Sequence, residues 1–333
     1  MHRRSRIHAF AVAVALLVSV ALITTPSLAG DPGTWVDKAD VTNQRHEAAY
    51  VQIGGKLHLI GGESPQHLIY DPVADDWSNN GRVPWDPTAG DPEVNIDHVQ
   101  GVAVGGKIYF IGGILSWPNV HSSAVWIYDP VEDTWSEGTP MPRGRGAGGV
   151  AVYRGNIYYA GGLADGVPVN WFDRYIPSED RWEEMPNMPS TREHFQAAVV
   201  QGRFYVVGGR RLGFDNLVRR TVRFTFATGV WKRRGLAPIP TSRAGFAVGK
   251  FGPKIVVFGG EGGGEAKAAV EMYNTRTDRW RTLASMLIPR HGLQGAKWQG
   301  GVFLATGADD QGAHPTAAHD AFCLVATAGA CEA

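Results

Sequence analysis

Five arginines recur along the chain at Arg45, Arg145, Arg192, Arg243 and Arg290, and His46, His98, His194 and His291 stand at or beside the same repeated position. Guanidinium groups gathered around a concave mouth would hold a carboxylate, because arginine donates in a fixed fork that matches two oxygens. Trp117 and Trp171, in variable segments, offer flat faces to a sugar ring or a partner side chain, and Arg210 adds a further cation. Each has a purely structural alternative: the arginines could bind backbone carbonyls or nearby acids, and the tryptophans could cover loop backbone. On the functional reading, Arg145→Ala with Arg243→Ala weakens ligand capture without unfolding the protein.

Four histidines could also ligate a transition metal, but no His-x-x-x-His or Cys-x-x-Cys spacing supports it and the arginine charge opposes a cation. No metal and no cofactor are therefore expected. No nucleophile elbow, phosphate loop or zinc-protease motif occurs, and Gly262-Gly263-Gly264 opens no helical pattern, which favours a binding module over an enzyme.

The elements that would position these residues are repeats. Gly-Gly doublets at 61–62, 112–113, 161–162, 208–209 and 259–260, with a degenerate copy at Thr306-Gly307, are 47 to 51 residues apart, the length of a propeller blade. Each doublet ends a β-branched and aromatic run such as Lys107-Ile108-Tyr109-Phe110-Ile111, which reads as a strand. Before it comes a small-residue run such as Gly101-Val102-Ala103-Val104, suited to a crowded innermost strand. After it, an aromatic residue and a Trp recur seven positions apart: Tyr70 and Trp77, Tyr128 and Trp135, Tyr175 and Trp182, Phe224 and Trp231, Tyr273 and Trp280. Turn formers between them predict a hairpin to the outermost strand. The large Trp ring would fill the wedge between blades, provided its N–H finds an acceptor. Counting sixteen residues back from each doublet gives the five arginines and Ile96, so five of six blades aim an arginine at the face where second-to-third loops emerge.

The doublet, the following Tyr and the spaced Trp resemble Kelch repeats, over residues 45–307 in five clear copies and one degenerate copy. The resemblance implies an all-β, six-bladed propeller of four-stranded antiparallel blades. The sixth copy lacks its outer Trp, but Trp35 stands in Thr34-Trp35-Val36. That N-terminal strand is expected to close the last blade, with the third strand supplied by about His319–Ala326, so that no sheet edge is left free.

Of 333 residues, 44 % are hydrophobic and 19 % charged, which excludes wholesale disorder, and acids and bases balance at 32 each. Residues 1–29 read as a secretory signal, with an Arg-rich start, an apolar run from Ala9 to Ile23 and a cleavage site after Ala29. Its removal takes away three Arg and no acid, leaving 29 basic against 32 acidic side chains over residues 30–333, so bulk charge gives no footprint for nucleic acid. Residues 30–333 are expected to form one propeller domain, secreted or periplasmic, monomeric and without stable membrane insertion. Export would allow Cys323 and Cys331 to pair. The connection from Ser78 to Asp97 is long enough for a lid or partner loop.

The function expected is a protein- or carbohydrate-binding module acting through the loop face around the central channel, with a protein, a glycan or an acidic sugar as partner. The alternative follows from the resemblance: exported Kelch propellers include sialic acid mutarotases. Glu193 or Glu261 would then be the acid–base group, with Arg145, Arg192 or Arg243 on the sugar carboxylate.

Overall fold

The computed structural model describes residues 32–84 and 96–325, together with Cys331. The expected signal and its cleavage site lie outside them. Six four-stranded antiparallel sheets follow one another, each a meander from the inside outwards. Blade 1 runs through Ala48–Ile53, Lys56–Gly61, Gln66–Asp71 and Asp76–Arg82, and blade 2 through Gln100–Val104, Lys107–Ile111, Val125–Asp129 and Thr134–Gly138. Blade 3 comprises Gly149–Tyr153, Asn156–Ala160, Phe172–Ile176 and Arg181–Glu184; blade 4 comprises Ala197–Val200, Arg203–Val206, Val222–Thr225 and Val230–Lys232. Blade 5 comprises Ala247–Phe251, Lys254–Phe258, Val270–Asn274 and Arg279–Thr282. In blade 6, Gly295–Trp298, Gly301–Ala305 and His319–Cys323 are completed by Thr34–Asp37, so the N-terminal strand closes the propeller as expected.

Small inner-strand residues are required by the convergence of the blades. A Cβ on Gly101 would lie 2.5 Å from Val51 Cγ2, and one on Gly249 would lie 2.5 Å from Val302 Cγ2. The Gly-Gly doublets serve a second close approach. In five of the six pairs the second residue donates its N–H to the carbonyl of the repeated arginine in the next blade: Gly113 to Arg145, Gly162 to Arg192, Gly209 to Arg243, Gly260 to Arg290, and Gly307 to Arg45 across the closure. On Gly112 a Cβ would meet Arg145 O at 2.2 Å, so a side chain there would separate the blades.

The outer Trp does fill the wedge. Trp77 Nε1 donates to Ala39 O at 2.8 Å, Trp182 to Thr139 O at 2.8 Å and Trp280 to Ala237 O at 3.0 Å. The N–H of each of those connector residues donates in turn to an Asp of the same hairpin: Ala39 to Asp75, Thr139 to Asp180, Ala237 to Asp278. Each Asp also accepts from the Tyr hydroxyl of the pair. In blade 4 the Tyr is Phe224, which has no hydroxyl to give, and Gly229 stands where the Asp would be. Only the Trp231 bond, to Pro186 O, remains there.

Of the long connection expected from Ser78 to Asp97, residues 78–82 extend the outer strand of blade 1, Val83 donates to Pro65 O, and residues 85–95 lie outside the described part. Cys323, at the end of the third strand of blade 6, is bonded to Cys331.

Candidate functional site at the axial mouth

The repeated arginines do not open onto the mouth. Arg45, Arg145, Arg192, Arg243 and Arg290 are 0–1 % exposed and rank among the largest fully buried side chains. Each guanidinium caps a carbonyl at the end of its own blade's second strand: Gly61, Tyr159, Gly208, Val257 and Thr306 in turn. Three also pair with buried carboxylates, Arg145 with Asp173, Arg243 with Glu271 and Arg290 with Asp320. These forks are committed within the fold, which is the structural alternative the sequence left open.

Two residues further along each repeat, the chain reaches the axis. Glu47, His98, Ala147, His194, Gly245 and Gly292 contribute one residue per blade, all at positive φ. Their backbones close a ring of six hydrogen bonds: the N–H of His98 donates to Glu47 O, Ala147 to His98, His194 to Ala147, Gly245 to His194, Gly292 to Gly245, and Glu47 to Gly292. Side chains of real size rise from only three of these positions, Glu47, His98 and His194. Their ligating atoms all lie within 4.8 Å of one another.

Around this trio the flanking positions add charge. Asp97 and Glu193 directly precede the two histidines, while Arg210 and Glu261 directly follow the doublets of blades 4 and 5. The backbone pairing of Glu193 with Arg210, and of Ala244 with Glu261, brings those positions to the mouth. His98 Nδ1 lies 2.8 Å from Asp97 Oδ1, and its Nε2 lies 2.7 Å from His194 Nε2 and 3.5 Å from Glu47 Oε2. His194 Nδ1 contacts Glu193 Oε2. Arg210 Nε donates to both Glu193 oxygens, at 2.9 and 3.2 Å, its Nη1 donates to Glu261, and its Nη2 stands 3.0 Å from His194 Nε2.

The two imidazoles are driven apart in charge. Burial pulls His98 down, but Glu47 and Asp97 outweigh it and hold its pKa at about 9. Burial, Arg210 and His98 push His194 well below the ordinary range. His98 is thus the imidazolium: it donates from Nδ1 to Asp97 and from Nε2 to the lone pair of a neutral His194, whose Nδ1–H faces Glu193. Burial also raises Glu261, whose Oε2 faces His291 Nε2 at 3.6 Å while that same nitrogen donates to Gly312 O at 3.1 Å.

Glu47, His98 and His194 have the donor types of a divalent-metal site. Against that use, the two Nε2 atoms already share a proton and the Arg210 guanidinium faces one of them. Ligation would have to displace both.

Trp117 lies over the pair, stacked on His98 at 5.5 Å between centroids and edge-on to His194 at 5.9 Å, and is 54 % exposed. Phe214 receives the Arg210 guanidinium on its face at 4.6 Å. Of the other expected residues, His291 lies beside Glu261 and meets His46 edge-on at 6.1 Å, whereas Trp171 is covered by Arg143 at 4.4 Å, a loop-covering role. Sequence reasoning missed Glu47 and Asp97. Counting fourteen rather than sixteen residues back from each doublet yields the axial ring, Glu47 included.

The family model of the KLHDC2/KLHL20/DRC7 Kelch-repeats domain matches residues 34–209, and a Kelch motif matches residues 242–287. The chain belongs to the Kelch-repeat family. Among curated relatives, the Kelch propeller is 27 % identical to Kelch-like protein terF of Aspergillus terreus over 312 residues, 83 % of this chain and 65 % of that one. It is 27 % identical to Kelch-like protein 35 of Mus musculus over 135 residues, 39 % of this chain and 21 % of that one. The chain therefore matches about two thirds or less of those relatives' own length. Among solved structures, that of YjhT superimposes with a TM-score of 0.72 at 14 % identity, covering 85 % of this chain and 95 % of the other, a likeness of fold.

Proposed function

We propose that this Kelch propeller is a protein-binding module whose docking surface is the loop face around the axial mouth. The observation that carries the reading is a set of large apolar side chains left exposed on the adjoining loops of blades 2, 3 and 4: Trp117, Val120, Val167, Leu212 and Phe214. They rim a buried polar centre, and exposed apolar groups gathered on one face of a folded protein mark interaction sites. The loops support one another, as Asp165 N donates to His121 Nδ1 between blades 2 and 3. Residues 1–29, read as an export signal, would put this face in the periplasm or outside the cell.

The test is site-directed photocrosslinking from position 117 in the exporting cell. A discrete adduct that disappears with Phe214→Ala and Leu212→Ala, in a protein with unchanged melting, supports the reading. Absence of any adduct from positions 117, 167 and 214 refutes it.

A second reading, an enzyme acting on an acidic sugar, is favoured by Glu261, a buried carboxyl with a raised pKa at the mouth, suited to general acid–base work. Its recognition group would be Arg210, which is buried and paired with Glu193 and Glu261 at the mouth, rather than the five repeated arginines that cap the blades. Proton NMR of sialic acid anomer exchange, with no acceleration over buffer, would remove it.

A further inference from the structure

Blade 4 inverts the charge logic of its neighbours. In blades 3 and 5, the residue 28 positions after the buried arginine is the carboxylate that neutralises it, Asp173 for Arg145 and Glu271 for Arg243. The corresponding residue after Arg192 is Arg220, which offers only its backbone carbonyl, at 3.0 Å, and turns its own side chain outwards. Residues 203–236 hold nine basic side chains and one acid, Asp215, in a chain whose totals balance.

Five of those bases line one cavity of about 470 Å³ on the flank of blade 4: Arg211, Arg219, Arg220, Arg233 and Arg234. No acidic side chain lines it. Like charges so gathered repel one another, and nothing in the cavity wall offsets them. Arg192 beneath responds: its pKa falls to about 9, first through burial and then through Arg220 and Arg211. The wall is nonetheless fixed. Arg219 and Ile239 exchange two bonds, Ile239 N to Arg219 O at 2.9 Å and Arg219 Nε to Ile239 O at 3.1 Å, and Thr221 Oγ1 donates to Ala237 O at 2.8 Å.

We propose that this cavity binds an anionic saccharide carrying two or more carboxylate, sulfate or phosphate groups. Every cation in it is an arginine, the side chain whose fork matches the oxygens of those groups. Five are more than a single monoanion can use. The volume lies within the range of small-ligand sites. Ser190 and Asn216 supply a hydroxyl and an amide on the same wall, as sugar hydroxyls require. None of its lining residues belongs to the axial cluster, and although it shares the loop of residues 211–217 with Leu212 and Phe214, it does not depend on the docking reading above.

The experiment is calorimetric titration of the full propeller with four probes: a trisulfated uronate disaccharide, a neutral disaccharide, inorganic sulfate and an octaglutamate peptide. The charged disaccharide is expected to bind about tenfold or more tighter than sulfate, with no response to the neutral sugar. Arg220→Ala with Arg233→Ala should weaken it by about a hundredfold at unchanged melting temperature, since both side chains are exposed and each charged hydrogen bond is worth about tenfold. Trp117→Ala should leave it unchanged, which keeps the site distinguishable from the loop face. Affinity no better than that of sulfate, equal binding of octaglutamate, or indifference to the double substitution would each overturn the proposal.

Discussion

His98 Nε2 lies 2.7 Å from His194 Nε2, so imidazoles from two blades share one proton over the propeller axis. Their backbones are linked through Ala147 in the six-membered ring, which fixes the separation of the two side chains independently of any ligand. The pair is therefore both part of the candidate site and part of the closure.

The alkaline limb of stability should report His98. Its folded pKa, about 9, lies above the ordinary value of 6.5, so its contribution is complete below about pH 6.5 and is lost as the pH rises through 9. Denaturation at a series of pH values should show unfolding free energy declining over that window by up to about 3 kcal/mol. Glu47→Gln, which removes the carboxylate that does most to raise His98, should flatten the decline. An equally steep decline in that variant would reject the assignment.

The acidic limb should report other histidines. His58 Nδ1 lies 2.9 Å from His67 Nε2 in blade 1, and burial lowers the two to about 4 and about 3; His319 in blade 6 falls to about 3 for the same reason. With folded values below 6.5, the unfolded chain takes up more protons, so stability falls as pH drops from about 6.5 towards 4. Asp320, which burial raises to about 6, and Glu261, which burial also raises, act in the opposite sense, but the lowered His194 joins the three histidines against them. Urea midpoints at pH 7, 5.5 and 4.5 should fall in that order, and less steeply in His67→Gln.

Arg145→Ala and Arg243→Ala should each unfold or severely destabilise the protein. Asp173 is fully buried and would keep only Arg143, 2.8 Å away, while Glu271 would keep only the Thr241 N–H and hydroxyl. Leaving a buried carboxylate short of its cation costs about 3–5 kcal/mol. Thermal melting measures this directly, and a melting temperature unchanged in both variants would return the arginines to the list of free ligand groups.

That outcome differs from what the sequence suggested, and the reason is geometric. The doublets, the Tyr and Trp pair and the small inner strands are local patterns with a fixed period, so blade number, strand order and the N-terminal closure could all be read from them. The same count of sixteen located the five arginines that are buried most deeply, though not Arg210, but a one-dimensional spacing does not say whether a guanidinium points to solvent or back to a carbonyl. The partners that decide it, Asp173, Glu271 and Asp320, lie 28 to 30 residues away with no motif to join them. Glu47 and Asp97 were hidden for the opposite reason: each looks like an ordinary loop acid until six separate repeats bring their axial positions together. The charge inversion at Arg220 was legible in principle, yet acquires meaning only once Asp173 and Glu271 are seen on their arginines.

Removing residues 31–40 should abolish cooperative unfolding or cause aggregation. Thr34–Asp37 pairs in register with His319–Cys323, from Thr34 opposite Cys323 to Asp37 opposite Asp320, and without it that strand becomes an open edge. Trp35 would be lost with it, together with its ring contacts to Phe322 at 5.1 Å and Phe258 at 5.9 Å and its N–H bond to Ala284 O at 3.0 Å. Blade 5 would lose a tie as well, since Ala284 N donates to Pro32 O at 2.8 Å. A milder variant separates packing from pairing: Trp35→Ala keeps the backbone ladder and should cost about 2–3 kcal/mol through lost ring area and an unpaired carbonyl, lowering the melting temperature while preserving a single transition. Calorimetry compares the two. A deletion variant that melts like the parent would show that closure by the N-terminal strand contributes nothing to the propeller's integrity.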